Sequence, residues 1–495
     1  MDSRVPGVGW AVASLSVIQL IVRAGSISGK VGQCTRISRT ITPHLRPQIR
    51  MMAKHHATHR PVQATTLPNV EMRNTGPSAF FRKLGPGLIT GAADDDPSGI
   101  ATYSQAGAAF GYGLLWTALV SLPLMIAVQL MCARVGIVAK SGLATALREH
   151  YSRRLLWFAC VLLIIANTLN IAADLGGMAA SAELLTGIPR AILVPIFSVL
   201  ILALLIFSSY ESMARVLKWF ALALFAYVIA AFLAHPSLAG VLRGTFLPSI
   251  QWNKDYLLTF VAILGTTISP YLFFWQASQV AEQEEHIRAR FPMRRRRSQM
   301  RRTGRELRDA AVDTESGMFV SQLIMFFIVL TAGATLHKAG ITDVQTADQA
   351  AMALRPLAGP LAYWLFALGI IGTGMLGVPV LAGSAAYAIA EAGAFRGGMD
   401  EKPESARVFY GVMVIAMVMG TILALTRINA MKMLLWSAVM NGVLAPPLIV
   451  IILMVCNNEK IMGEYMNGIW LNVLGWIAAG LMGVAAVAMI ASFFM

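Results

Sequence analysis

From about residue 82 onward the chain alternates long apolar runs with short polar breaks. Roughly eleven runs reach the length of about 20 residues that a helix needs to cross a bilayer. They lie near 82–110, 113–137, 154–180, 189–209, 213–234, 256–281, 315–337, 358–391, 407–426, 429–455 and 466–494. Two of them are interrupted. The first reads Gly91-Ala92-Ala93-Asp94-Asp95-Asp96-Pro97, and the sixth reads Gly265-Thr266-Thr267-Ile268-Ser269-Pro270-Tyr271. Matched interruptions in two halves of a helical membrane protein point to a substrate site at the breaks. The pattern predicts an all-α integral membrane protein. Segments one to five and six to ten form inverted repeats, the eleventh stands outside them, and helices one and six unwind at the midplane.

Proline removes its own N–H and clashes with the carbonyl four residues back. Pro97 therefore frees the carbonyl of Ala93, and Pro270 frees that of Thr266. The residue before a proline is pushed out of the helical region, which places Asp96 and Ser269 in the unwound stretches. A carboxylate at membrane depth costs about 2.5–3.5 kcal/mol, so three in a row imply a cationic cargo. Asp94, Asp95, Asp96, the Ala93 and Thr266 carbonyls, and the Thr267 and Ser269 hydroxyls make an all-oxygen candidate site. Hard oxygen ligands suit Mg²⁺, Ca²⁺ or Mn²⁺ over soft-ligand metals. Asp96 is the central ligand in this reading. Asp94 and Asp95 cannot both face one point on a helix, and Asp95 is the nearer neighbour. Asp174 is read either as a secondary cation or water-pathway group, or as an acid solvated near the outer end of the third helix. Asn167, Asn170 and Asn441 are read as helix–helix hydrogen-bonding groups, and the membrane methionines as packing residues.

Composition agrees. Of 495 residues, 57% are hydrophobic and 13% charged, where a soluble chain carries about 25% charged. The four cysteines are dispersed with no CxxC pair, which supports neither a zinc site nor a disulfide framework. The net charge of +15 is gathered in alternate loops, densest from Arg288 to Arg308. That asymmetry places the N-terminus inside and the C-terminus outside. The expected 281–314 loop is thus a topology signal and a patch for anionic lipid headgroups, not a nucleic-acid site. Residues 1–80 are basic and rich in Ser, Thr and Pro. They are read as a disordered or over-annotated leader, or else as a surface helix or targeting element. His44, His55, His56 and His59 within it are not read as a metal site. The transporter domain is 81–495. The reading is of a multi-pass transporter in the plasma (inner) membrane if bacterial, not an enzyme, with no cofactor and no obligate protein partner.

The stretch Gly85-Pro86-Gly87, Asp96-Pro97-Ser98-Gly99-Ile100-Ala101-Thr102 and Gln105-Ala106-Gly107 resembles the Nramp family of divalent metal transporters. The resemblance runs from about residue 82 to the last helix. It implies a LeuT-type inverted-repeat fold and carriage of Mn²⁺ and Fe²⁺, usually with protons. The family's first-helix aspartate falls on Asp96, and its carbonyl ligands on Ala93 and Thr266. Its metal-binding asparagine falls on Gly99. Its sixth-helix Met-Pro-His falls on Ser269-Pro270-Tyr271, and a second histidine on Gln276. The glutamate of its third-helix Asp-Leu-Ala-Glu falls on Gly177, after Asp174.

These departures imply a roomy, acidic, sulfur-free site. Such a site suits a partly hydrated Mg²⁺, which gives up water reluctantly, and is similar to the Nramp-related magnesium branch. Gly99 is expected to leave space for water. Tyr271, Gln276 and Gly177 do not titrate near neutral pH, so uptake without proton coupling is expected, with Mn²⁺ also carried. Three alternatives stand beside this reading. One is a proton-coupled Mn²⁺/Fe²⁺ importer of the main branch. Another is an organic-solute symporter of the same fold, although three aspartates repel a substrate carboxylate. The last is a sensor built on the same membrane domain.

Overall fold

The computed structural model describes residues 90–91, 93–207, 222–290 and 296–494, with backbone alone for 286–290 and 296–302. The expectations for residues 1–80 and for the first part of the fifth apolar run, 213–221, lie outside the described residues.

All regular structure among the described residues is helical. In chain order we name α1 (Pro97–Phe110), α2 (Trp116–Ala139), α3 (Leu143–His150), α4 (Arg153–Thr186), α5 (Arg190–Phe207) and α6 (Phe225–Leu233). There follow α7 (Leu238–Phe246), α8 (Lys254–Thr267), α9 (Pro270–Arg290), α10 (Arg296–Ala332), α11 (Ala362–Ala392), α12 (Arg407–Ala424), α13 (Ala430–Cys456) and α14 (Ile469–Ala491). Nine segments among the described residues are long and apolar enough to cross a bilayer. The first and fifth expected runs are described only in part, through α1 and α6.

Helix ends follow from local chemistry. Ser152, Asn253 and Asn429 cap α4, α8 and α13 by accepting from the N–H of Leu155, Tyr256 and Lys432, as short polar side chains do at N-caps. Gly187 closes α4 in a left-handed conformation, φ 70°.

The 281–314 loop is a correction. Helix α9 runs on to Arg290 and α10 begins at Arg296, so most of that stretch is helical extension beyond the apolar spans. A helix satisfies its backbone internally wherever it leaves the membrane, and arginine is a good helix former.

Burial separates centre from rim. The apolar window of the α8–α9 segment is 94% buried, that of α5 only 28%. Trp157, Phe158, Val199, Ile415, Trp470 and Val484 are exposed on α4, α5, α12 and α14, the pattern of lipid-facing helices around a packed centre. Small residues allow close approach there. A Cβ on Gly107 would stand 2.3 Å from the Val329 carbonyl oxygen, locking α1 against α10. Asn170 Nδ2 donates to Asn441 Oδ1 (2.8 Å) and Asn167 Nδ2 to the Leu381 carbonyl (2.8 Å), the interhelical role expected of them.

Polar bonds also tie α9 to α11. Ser384 Oγ donates to the Tyr271 carbonyl (2.8 Å), Gln279 Nε2 to Tyr387 Oη (2.8 Å) and Ser278 Oγ to Glu391 Oε1 (2.6 Å). The Thr145 N–H of α3 donates to Glu391 Oε2 (3.1 Å). The half of the sixth span beyond its break is thereby held against the eighth.

Candidate cation site at the broken helices

Both breaks form where the prolines put them. Thr90, Gly91, Ala93 and Asp94 are helical, Asp95 is a bend, and α1 begins at Pro97. Asp96 between them is extended, φ −69° and ψ 172°. Its Oδ1 accepts from the Gly99 N–H (2.9 Å) and from Ser98 Oγ (2.6 Å). Asp96 is thus the N-cap of α1, at the positive end of the helix dipole. In the sixth span α8 ends at Thr267, Ile268 has φ −122° and ψ 65°, and α9 starts at Pro270.

Both proline-freed carbonyls receive hydroxyls from the second break. Tyr271 Oη donates to the Ala93 carbonyl (2.9 Å) and lies 3.3 Å from Asp96 Oδ2. Ser269 Oγ donates to the Thr266 carbonyl (2.7 Å) and stands 3.0 Å from that of Gly265. The wall opposite is Gly377 of α11. A Cβ there would lie 3.3 Å from Asp96 Cβ, 3.9 Å from the Ala93 carbonyl oxygen and 3.9 Å from Asp174 Oδ2. Asp96, the Ala93 carbonyl and Asp174 therefore converge on one bare stretch of backbone. Asp174 is fully buried, which removes the reading of it as a solvated acid at a helix end. Neither of its oxygens has a well-formed hydrogen bond, and the Ser98 N–H lies beside them.

The other two aspartates go elsewhere. Ser321 Oγ of α10 donates to Asp94 Oδ2 (2.7 Å) and stands 3.2 Å from Asp95 Oδ1. The expectation that these two cannot face one point is corrected. Asp95 lies in the bend, where helical spacing no longer separates neighbours. Asp94 Oδ1 and Asp95 Oδ2 are buried without a hydrogen-bond partner. Among the described residues no three Asp, Glu, His or Cys side chains converge as a metal cage, so the three carboxylates are not gathered around one point here.

The remaining candidates divide as well. Thr267 Oγ1 donates into its own helix, to the Ile263 carbonyl (3.0 Å). Gln276 Oε1 accepts from Thr90 Oγ1 (2.5 Å), and its Nε2 reaches Thr314 Oγ1 at 3.5 Å. Gly99 does not open space for water, and this too is a correction. A Cβ on it would stand 3.3 Å from Tyr103 Cε2, because Tyr103 is one turn on along α1 and its ring leans back over the gap.

The family model described as natural resistance-associated macrophage protein-like matches residues 87–492. The chain belongs to the Nramp family. A divalent metal cation transporter MntH of Bradyrhizobium diazoefficiens is 30% identical over 415 residues, covering 80% of this chain and 86% of that one. The MntH of Klebsiella pneumoniae is 27% identical over 399 residues, covering 79% and 90%. Among solved structures, the manganese transporter of Eremococcus coleocola, in complex with an aromatic bis-isothiourea substituted compound, aligns with TM-score 0.66 and 21% identity. It covers 85% of this chain and 89% of that one. MhsT in complex with L-phenylalanine aligns with TM-score 0.50 and 13% identity, over 82% and 97%. The fold is the LeuT-type helical membrane architecture that the resemblance implied. An Nramp chain is a multi-pass membrane transporter, not an enzyme.

Within this Nramp site, sequence reasoning missed Gly377, Ser321 and Tyr103. A signal existed for the first: Gly372-Thr373-Gly374-Met375-Leu376-Gly377 is a glycine run inside an apolar helix, a mark of close backbone approach. Tyr103 stands four residues beyond Gly99, on the same face of one helix. Ser321 carried no signal of its own. A separate cavity of about 340 Å³, lined by Glu183, Arg190, Asp348, Asn429 and others, includes none of the residues at the breaks.

Proposed function

We propose that the protein moves divalent metal cations, Mn²⁺ among them, across the membrane by alternating access. The observation that carries the reading is the convergence of the Asp96 carboxylate, the Ala93 carbonyl and Asp174 at Gly377. These oxygen groups suit a divalent cation, and the helix breaks give them free lone pairs inside the membrane. Asp96 would hold the ion, the Ala93 and Thr266 carbonyls would add neutral oxygens, and the Tyr271 and Ser269 hydroxyls would turn from the carbonyls as the ion binds. Opening to the other side would require α9 and α11 to part below the site, breaking the Ser278–Glu391 and Gln279–Tyr387 bonds. The names of the relatives, divalent metal cation transporters and a manganese transporter, support Mn²⁺ as substrate. They favour it over a magnesium-specific protein and over an organic-solute symporter.

Magnesium is the second reading, and the lack of a thioether at position 269 favours it. A methionine sulfur there would prefer softer ions, and Ser269 offers oxygen. The sulfur of Met178 lies against Gly374, one turn along α11 from Gly377, where a Cβ would come 2.4 Å from it. In this reading uptake runs without protons, since Tyr271 and Gln276 are neutral hydrogen-bonding groups. Uptake of Mn²⁺ into proteoliposomes, with Mg²⁺ as competitor and a pH dye inside, tests all of this. Mn²⁺ uptake is expected to depend on Asp96 and to proceed without internal acidification. Uptake that survives Asp96→Ala at the parent rate would falsify the site. Failure of millimolar Mg²⁺ to compete would remove the second reading, and acidification in step with metal entry would remove the uncoupled one.

A further inference from the structure

Tyr103 has no part in the reading above, yet it touches both breaks. It is fully buried in α1. Its ring edge lies 3.3 Å from where a Cβ on Gly99 would be, and Gly99 itself binds Asp96 Oδ1 through its N–H (2.9 Å). At its far end the phenol oxygen lies 3.1 Å from Thr266 Oγ1, on the residue whose carbonyl Pro270 frees. The one proton of that hydroxyl is shared between the phenol oxygen and the Ile263 carbonyl (3.1 Å). One side chain thus spans from the acidic break to the neutral one. The Thr266 bond takes one lone pair of the phenol oxygen and leaves the other. A ring fixed by packing at one end and by a hydrogen bond at the other also holds that oxygen in place at little entropic cost.

We propose that Tyr103 is a specificity-determining residue of the cation site. It takes the volume that a side chain at position 99 would need, and it offers a fixed neutral oxygen to a water carried by the ion. This rests on the placement of the site at Asp96. A rigid acceptor for metal-bound water favours an ion that keeps its waters, as Mg²⁺ does. A ring that crowds position 99, 3.3 Å from where its Cβ would be, hinders direct replacement of that water by a side chain there.

The test measures the Mg²⁺ concentration that halves Mn²⁺ uptake, relative to the Mn²⁺ KM, with the full chain in liposomes. Tyr103→Phe keeps the ring and removes the oxygen, and should raise that ratio about fivefold, the scale of one neutral hydrogen bond. Gly99→Asn alone should cut uptake at least about tenfold, because the new side chain and the ring compete for one volume. Gly99→Asn with Tyr103→Ala should recover uptake and shift preference toward Mn²⁺. Should the Phe variant fail to fold, Thr266→Val removes the donor that holds the phenol and should move the same ratio in the same direction. An unchanged ratio in the folded Tyr103→Phe protein overturns the proposal. A Gly99→Asn protein that transports like the parent overturns it too, since the ring would then not share that space. Asp96→Asn run alongside separates the failures: if it transports normally, the site itself is misplaced, whatever Tyr103 does.

Discussion

The two breaks share a proline and differ in the residue before it, and that difference assigns their roles. At the first break Asp96 can only accept hydrogen bonds. It turns forward, to the Gly99 N–H and Ser98 Oγ. At the second break Ser269 has a proton to give. It turns back, to the carbonyls of Thr266 and Gly265. One break therefore presents net negative charge at a helix N-terminus. The other presents a neutral hydroxyl that quiets its own freed carbonyl. The same backbone device gives an anionic half and a neutral half, and a divalent ion between them would meet one strong ligand and several weak ones.

The sharpest way to break this comparison is Asp96→Asn. Asparagine caps a helix about as well as aspartate, so helix α1 should keep its start and the protein its melting temperature. The charge is gone, and Mn²⁺ uptake should fall at least about hundredfold, the scale of a buried charge losing its partner. Normal transport by a well-folded Asp96→Asn protein would mean that Asp96 is a cap and nothing more. Next in size is Gly377→Ala. Its methyl would sit 3.3 Å from Asp96 Cβ and 3.9 Å from Asp174 Oδ2. Calorimetric binding of Mn²⁺ should weaken about tenfold, the effect of crowding a packed centre.

Ser321→Ala acts on the acidic side without touching Asp96. It removes the hydroxyl between Asp94 and Asp95 and should destabilise the protein by about 1–3 kcal/mol. A thermal melt should show this in full, while the Mn²⁺ KM moves less than in Asp96→Asn. A KM effect as large as that of Asp96→Asn would draw the Asp94–Asp95 pair into direct ion contact. The smallest effect is expected at Ser269→Ala. Losing one neutral donor to the Thr266 carbonyl is worth about 1 kcal/mol, so affinity should change no more than about fivefold. A loss equal to that of Asp96→Asn would erase the distinction between the halves.

Much of this was legible in the chain. The apolar runs and the two prolines announced spans and breaks, and the comparisons bear out the fold. Of the candidates read from the sequence, Tyr271 comes to both the Ala93 carbonyl and Asp96, while the Thr266 carbonyl is taken by Ser269 within its own break. Three expectations failed for separate reasons. Gly99 was read as open space because a missing side chain says nothing about its neighbours, and Tyr103 fills it. Asp94 and Asp95 were expected to diverge by helical spacing, but the bend at Asp95 lets Ser321 reach both. The arginine-rich 281–314 stretch was read as a loop from its polarity alone, and polarity does not stop a helix.

What the sequence determined by itself was local. A proline fixes the break beside it, a residue before proline leaves the helix, and an acceptor-only side chain there must find N–H groups ahead of it. These constraints act over about four residues and need no partner. The tertiary structure decided which oxygens share a volume. Gly377 stands 281 positions after Asp96 in the chain and comes to it only because α11 packs against α4 and the first break. Ser321 reaches the acidic pair only because glycines let α1 and α10 approach so closely. Packing between distant helices, where one absent Cβ sets the distance, has no periodicity for a sequence to display.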